Sequence, residues 1–296
     1  MDLDTFIVNM FCLIDDTLND FIAQQPIRQR GPQPKLADSE VLTIELVGEF
    51  LALTQDKAIF NYFRRHFSHF FPHLASVHRT TFVRQAANLW KVKEALWQRL
   101  IAQTSCDSEV ALVDSFPVPV CKFARAPRTK AFRGEAAFGK DHTIKQTFYG
   151  FRFHVRVCLP GVITRLWVAP ADKSDLAGLE ELIAETSGYC LGDRNYWKPE
   201  LKQELSKQGL QMLVPFKSAS RDPNRQASRY LSGIRYRIES VFSQLVERFQ
   251  IKRVWARDLW HLSSRIMRKV LSHTAAIIIN QAEGNSPLRL AELLTD

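Results

Sequence analysis

The sequence is sparing with cysteine, having only Cys12, Cys106, Cys121, Cys158 and Cys190 among its 296 residues. No two stand in a CxxC spacing, the number is odd and the separations are wide. That pattern speaks against a zinc knuckle and against a disulfide framework, and a reducing, cytoplasmic setting is the corresponding expectation. A signal-peptide n-region is also missing, because the chain opens Met1-Asp2-Leu3-Asp4 with no basic residue. The longest apolar run near the C-terminus, Thr274 to Ile279, is far too short to cross a bilayer, so a soluble protein with no membrane partner is expected. Internal repeats and low-complexity tracts are absent. What is present is 46% hydrophobic residues, enough for a real core. The formal net charge is +9 and the pI about 9.4. An excess of Lys and Arg in a folded chain suits a polyanionic partner, since clustered cations release counterions from phosphates.

Residues 1–105 read as helical, with no β-alternation. Ile7, Met10, Phe11, Ile14 and Leu18 recur at spacings of three and four. After the turn-rich stretch 28–34, Asp38 is the expected N-cap of a helix through Val41, Leu42, Ile44, Leu46 and Val47. Further helices are expected around Ile59–Phe67 and from Arg79 to Leu89. From Asp107 the character changes. Val110–Val113 is a short apolar strand ending at Asp114. Phe148–Leu159 and Val162–Val168 form a hairpin about Pro160-Gly161. Ala171–Ser187 is a helix, Tyr189–Leu191 a strand ending at Gly192-Asp193, Pro199–Gln208 a helix and Gln211–Val214 a fifth strand. An arginine-rich connection then leads into further helix. The order β-β-β-α-β-α-β-α, three antiparallel strands and then crossover strands, is that of a ribonuclease H-like α/β fold. The domains expected are therefore 1–105, helical, and 106–296, ribonuclease H-like with C-terminal helices.

Two acids end apolar strands: Asp114, before Ser115-Phe116-Pro117, and Asp193, before Arg194-Asn195-Tyr196. Ligand sites of α/β sheets lie at such strand ends. If the first and fourth strands are parallel neighbours, the two ends are roughly 5 Å apart. Both acids ionise at neutral pH, and two converging carboxylates call for a cation. Hard oxygen ligands favour magnesium or manganese over zinc. Taken singly, an Asp at such a place is more often a turn or helix cap. A third acid, Glu239, lies in a helix whose apolar stripe is Ile234, Ile238, Val241, Phe242, Leu245 and Phe249. At about 100° per residue it sits roughly 110° from the centre of that stripe, at its flank, with Arg235 one turn before it. The helix alone allows an ordinary solvated glutamate paired at i,i+4.

The trio Val113-Asp114-Ser115, Gly192-Asp193-Arg194 and Arg235-Tyr236-Arg237-Ile238-Glu239 resembles the DDE transposases of bacterial insertion sequences, and most closely the insertion sequence 982 family. Tyr149-Gly150-Phe151-Arg152-Phe153-His154 is similar to that family's second strand, and Phe63-Arg64-Arg65-His66-Phe67 to its N-terminal region. The likeness runs over roughly residues 40–280. It implies that Asp114, Asp193 and Glu239 are the catalytic triad and hold two divalent ions, Mg2+ or Mn2+. It also implies end cleavage and strand transfer by in-line displacement, with no covalent protein–DNA intermediate. Neighbouring families carry a Tyr and a Lys around the Arg and Glu of this helix. Here Ser232 and Val246 stand at those places, with Tyr230 and Lys252 as nearby substitutes. Asp172 and Asp175 are candidates either for accessory acids or for capping the next helix.

The partner so implied is DNA, both the element's terminal inverted repeats and the target, held by a homo-oligomer that brings two ends together. Lys122, Arg125, Arg128, Lys130, Arg133, Lys140 and Lys145 crowd the first strand-to-strand connection, and a connection of such length is usually functional or mobile. A second basic run comprises Lys217, Arg221, Arg225, Arg229, Arg235 and Arg237, continued by Arg248, Lys252, Arg253 and Arg257. His78-Arg79-Thr80-Thr81 and Arg84 begin a helix that either reads DNA in a helix-turn-helix arrangement or packs through Phe82, Ala86 and Leu89. Trp90, Trp97, Trp255 and Trp260 are candidates for core or for stacking on a flipped base, and His142 and His154 for structural or substrate-facing roles. The rival readings are a structure-specific nuclease of the same fold and a domesticated DNA-binding protein without catalysis.

Overall fold

The apolar stripe Ile7, Met10, Ile14 and Leu18 becomes the buried face of α1 (Leu3–Gln24) in the computed structural model. The structure describes residues 1–141, 144–184, 186–196, 198–216 and 221–295, apart from the side chain at 108. Residues 1–104 and 244–296 form one compact unit and residues 105–243 another. Residues 244–296, expected to belong to the second domain, thus group with the N-terminal helices.

The physical reason lies in α9 (Leu259–Ala282), whose residues from Ile266 to Ile277 are all buried. A helix buried on every side, polar residues such as Arg268, Lys269 and His273 included, needs neighbours around it. It finds them in α2 (Asp38–Phe50) and α5 (Trp90–Gln103), with α3 (Asp56–His66) and α4 (Arg79–Asn88) completing the unit. Asp38 begins α2 but does not cap it. Its carboxylate accepts from Arg28 Nη2 at 2.6 Å and Gln85 Nε2 at 2.8 Å, while Glu40 reaches back to the Ala37 N–H at 2.7 Å. No helix of the described residues is long and apolar enough to cross a membrane.

The centre of this unit is ionic. Arg268 meets Glu45 at 2.9 Å, Glu49 at 2.5 Å and Asp56 at 2.8 Å, Lys269 meets Glu49 at 2.5 Å, and Lys93 meets Glu45 at 2.5 Å. Burial alone would drag the Arg268 ionisation down, but Glu49, Glu45 and Asp56 hold it well above the usual arginine value. Burial wins at Lys93 and Lys269, whose ammonium groups are pushed below the usual lysine range.

His273 is buried in the same unit, its Nε2 3.0 Å from Gln244 Oε1, and burial lowers its pKa from 6.5 to about 4. The unfolded chain takes up a proton near pH 6.5 that the folded protein refuses until about pH 4. The His273 contribution to stability is therefore complete above about pH 6.5 and is lost as pH falls toward 4. Melting temperatures recorded across that window should fall less steeply in His273→Gln than in the wild type.

The second unit is built on a six-stranded mixed sheet. Its strands are β1 (Asp107–Pro119), β2 (Ala137–Asp141), β3 (Gln146–Leu159), β4 (Val162–Pro170), β5 (Gly188–Leu191) and β6 (Leu210–Leu213). They run in the order β2-β3-β1-β5-β6, with β4 also paired to β3. The β3–β4 hairpin is as expected from Pro160-Gly161. Strand β2 was not expected; it pairs with the first residues of β3 and β4 with the later ones, so the two share one flank of β3. The helices α6 (Asp175–Ile183) and α7 (Pro199–Lys207) follow, and α8 (Arg225–Glu247) lies in this unit through residue 243.

Alternation along β1 sets what each face meets. Val113 packs with Leu179, Leu182 and Tyr196, whereas Phe116 meets Phe242 of α8 at a ring distance of 4.7 Å. Gly178 lets α6 approach β3 closely, since a Cβ there would stand 2.3 Å from His154 Nδ1. Cys106 and Cys158 are joined as a disulfide, contrary to the expectation from their spacing. The antiparallel β1–β3 register sets Asp107 opposite Leu159, and sequence separation says nothing about that adjacency.

Candidate active site

The geometry of the site follows from a parallel register. Strands β1 and β5 pair Val110 with Tyr189, Ala111 with Cys190 and Leu112 with Leu191. Asp114 and Asp193 each lie two residues beyond the last of these pairs, so they emerge side by side where the β1–β5 ladder ends and neighbouring strands are about 5 Å apart. Strand β1 does not end at Asp114 as its apolar run suggested; it continues to Pro119, with Asp114 opposite Val155 of β3, because β3 goes on pairing with it. Asp114 accepts from the Ser115 N–H at 2.8 Å and from Arg235 Nη2 of α8 at 2.9 Å. Asp193 accepts from the Asn195 N–H at 2.7 Å and from Asn195 Nδ2 at 3.0 Å.

Both carboxylates are strained electrostatically. Burial pushes the Asp114 pKa up to about 6; Arg235 and the Ser115 N–H oppose that, and the charges of Asp193 and Asp175 add to it. Asp193 is likewise raised, first by burial, with the Asn195 N–H and Arg235 opposing and Asp175 adding. One arginine thus serves two acids.

Residues that the sequence reading left at the margin complete the site. Asp175 accepts from the Ser115 hydroxyl and from Asn195 Nδ2 at 3.4 Å, and its Oδ1 lies 3.7 Å from Arg152 Nη1. Arg152 also donates to Ser115 Oγ at 3.2 Å and to the Lys140 carbonyl at 2.9 Å. Tyr196 is fully buried and its hydroxyl has no hydrogen-bond partner among the described residues. Burial and then Asp175, Asp114 and Asp193 push its ionisation far up. The clues in sequence were slight: Asn195 and Tyr196 follow Asp193 closely, and Arg152 lies in the second-strand motif.

Glu239 is exposed on α8. It falls between Arg235, which meets Asp114, and Phe242, which meets Phe116. At spacings of four and three it shares their face of the helix. It makes no ion pair among the described residues, and these include no group of three His, Cys, Asp or Glu close enough to hold a metal ion. The structure therefore brings Asp114 and Asp193 together and does not gather Glu239 with them, although it lies on the helix face that carries Arg235. As a donor set, two adjacent carboxylates suit a hard divalent cation.

Of the cations expected to meet DNA, Lys122, Arg125, Arg128, Lys130, Arg133 and Lys140 are all exposed around the short 3-10 helix Phe123–Arg128 and strand β2. Phe123 and Phe138 are exposed among them, with ring centroids 6.2 Å apart. Arg225, Arg229 and Arg237 are exposed on α8 beside exposed Tyr230 and Tyr236, whereas Arg235 is turned to Asp114. In the helical unit Arg79, Arg84 and Arg253 are exposed and Lys252 is half-buried. Trp97 is core, while Trp255 and Trp260 are exposed, Trp260 lying edge-on to Trp90. His154 is wholly buried, and burial lowers its pKa to about 4, a structural role. His142 and Lys217 lie outside the described residues.

The structure is thus a mixed sheet with two acids set together where the parallel β1–β5 pairing ends, an arrangement found at the ligand sites of α/β enzymes. The profile of the transposase DDE domain family matches residues 104–259, a span that includes Asp114, Asp193 and Glu239 and slightly more than half of the chain. The chain belongs to that family of transposases. No curated protein matches it. Among solved structures it is similar to a piggyBac transposase in a synaptic complex with hairpin DNA. The identity is 10%, the TM-score 0.48, and the likeness covers 96% of this chain and 76% of that one, too distant to carry a functional inference.

Proposed function

We propose that the protein moves its own insertion sequence, cutting DNA at the element's ends and joining them to a target with the help of two divalent ions. The observation that carries this reading is the parallel β1–β5 register, which sets Asp114 beside Asp193 within the span matched by the family. The strand order β4-β3-β1-β5-β6, with β1 antiparallel to β3 and parallel to β5, supports a ribonuclease H-like sheet to which β2 is added. The motifs around the three acids favour the insertion sequence 982 family.

In this reading Asp114 and Asp193 hold magnesium or manganese with Glu239, which reaches the site from α8. When bound, the ions activate the attacking hydroxyl and stabilise the leaving oxygen. Arg235, 2.9 Å from Asp114, offsets the charge of the aspartates and would be able to hold a phosphate there. The exposed cations near β2 and on α8, interleaved with Phe123, Phe138, Tyr230 and Tyr236, hold DNA. The helical unit, through Arg79 and Arg84, recognises the inverted repeats, and a dimer or larger homo-oligomer pairs the two ends.

Incubating the purified protein with labelled element ends and magnesium or manganese tests this. Joining of a cleaved 3′ end to a second DNA is the expected product. Hydrolysis alone would point to a nuclease, and binding without cleavage to a non-catalytic DNA-binding protein. Neutralising Lys122, Arg125 and Arg128 together should weaken binding of all duplexes alike and reduce the salt slope of log K by about one per lost phosphate contact. An unchanged slope would remove that surface from the DNA path.

A further inference from the structure

We infer that Asp175 is a positioning residue that fixes the separation of Asp114 and Asp193 by tying Ser115 to Asn195. This inference rests on the proposed reading of the two aspartates as metal ligands.

Asp175 opens α6, and an acid there ordinarily caps the helix or favours its dipole. The capping role is already taken, because Ser174 Oγ accepts from the Ala177 N–H at 3.2 Å. The Asp175 carboxylate is thereby released for other partners, and each of its oxygens finds one. Oδ1 accepts from the hydroxyl of Ser115, the residue directly after Asp114. Oδ2 accepts from Nδ2 of Asn195, two residues after Asp193, and that amide also donates to Asp193 itself at 3.0 Å. One side chain from a third element thus joins the two strand ends.

Beyond residue 191 the β1–β5 ladder has no further paired residues, so backbone pairing does not hold the loop after Asp193 to the segment carrying Asp114. The Asp175 bridge supplies that restraint. Arg152, 3.7 Å away, balances its charge. The buried Tyr196 hydroxyl, unpartnered among the described residues, lies in the field of the three carboxylates.

Asp175→Asn leaves one acceptor where the carboxylate has two, so one tie is lost with little change in shape. Mn2+ binding to the full-length protein without DNA, followed by paramagnetic resonance, should weaken by about 10–100-fold, the usual cost of disturbing a residue that orients a ligand. The Mn2+ needed for half-maximal end cleavage should rise in step, while the melting temperature without metal stays at the wild-type value. The double variant Ser115→Ala/Asn195→Ala should reproduce the loss with Asp175 intact. Wild-type Mn2+ affinity in Asp175→Asn overturns the inference. So does an Asp175→Asn defect that the double variant lacks, or one that follows a fall in melting temperature. If Asp114→Asn also binds Mn2+ and cleaves as the wild type does, the reading of the aspartates themselves fails.

Discussion

Asp114→Asn and Asp193→Asn are each expected to reduce end cleavage by at least about 10³-fold, with a labelled element end still bound to within a few-fold of wild type. Each substitution removes one charge and keeps the side chain's volume. Because the β1–β5 register sets the two carboxylates side by side, a cation between them loses half of that pair when either is neutralised. Groups that act as one unit give non-additive losses, so the double variant should be little worse than either single one. Glu239→Gln should join them if the helix supplies the third ligand; full activity in that variant would remove Glu239 from the site and leave the two aspartates. Melting curves on the same preparations separate lost chemistry from lost fold. Survival of cleavage in either aspartate variant would end the assignment of that residue.

The second large effect belongs to stability. Glu49 stands between Arg268 and Lys269, both wholly buried, with contacts of 2.5 Å to each. Glu49→Ala takes from Lys269 its carboxylate partner and from Arg268 one of three, in a medium that solvates buried charge poorly. Breaking a buried pair by removing one partner costs about 3–5 kcal/mol, so a large drop in melting temperature is expected, along with loss of soluble protein. Arg268 keeps Glu45 and Asp56, which leaves Lys269 as the group most exposed to the change. Glu49→Leu combined with Lys269→Met should recover most of the loss, since replacing both charges by apolar groups of similar volume is often neutral. A double variant as unstable as Glu49→Ala would show that the packing of Glu49, not its charge, is what matters.

Much of this could be read from the chain before any coordinates. The stripe of α1, the hairpin at Pro160-Gly161, and the two apolar runs that lead into Asp114 and Asp193 are local patterns, although β1 runs on past Asp114 to Pro119. They carry their own signal because burial repeats at the period of the element. The face of α6 carrying Leu179 and Leu182 was likewise legible, although the helix starts at Asp175 because Ser174 caps it. The separation of the two units was not. Residues 244–296 lie far along the sequence from the helices they join, and α9, buried on every side, does not announce which helices will surround it. The ionic centre of that unit was invisible for the same reason, as were the disulfide Cys106–Cys158 and strand β2, whose alternation is too short to stand out.

The sequence by itself determined which acids follow apolar runs, the basic character of the connections around them, and the kinship of the span that carries them. These are properties of single residues and their near neighbours, and no folding is needed to express them. Only the tertiary structure decided that Asp114 and Asp193 share one sheet end, that Arg235 comes down on Asp114, and that Asp175 links Ser115 to Asn195. Such contacts join residues dozens of positions apart. They exist because strand register and helix packing select one arrangement from many that the local patterns would equally allow.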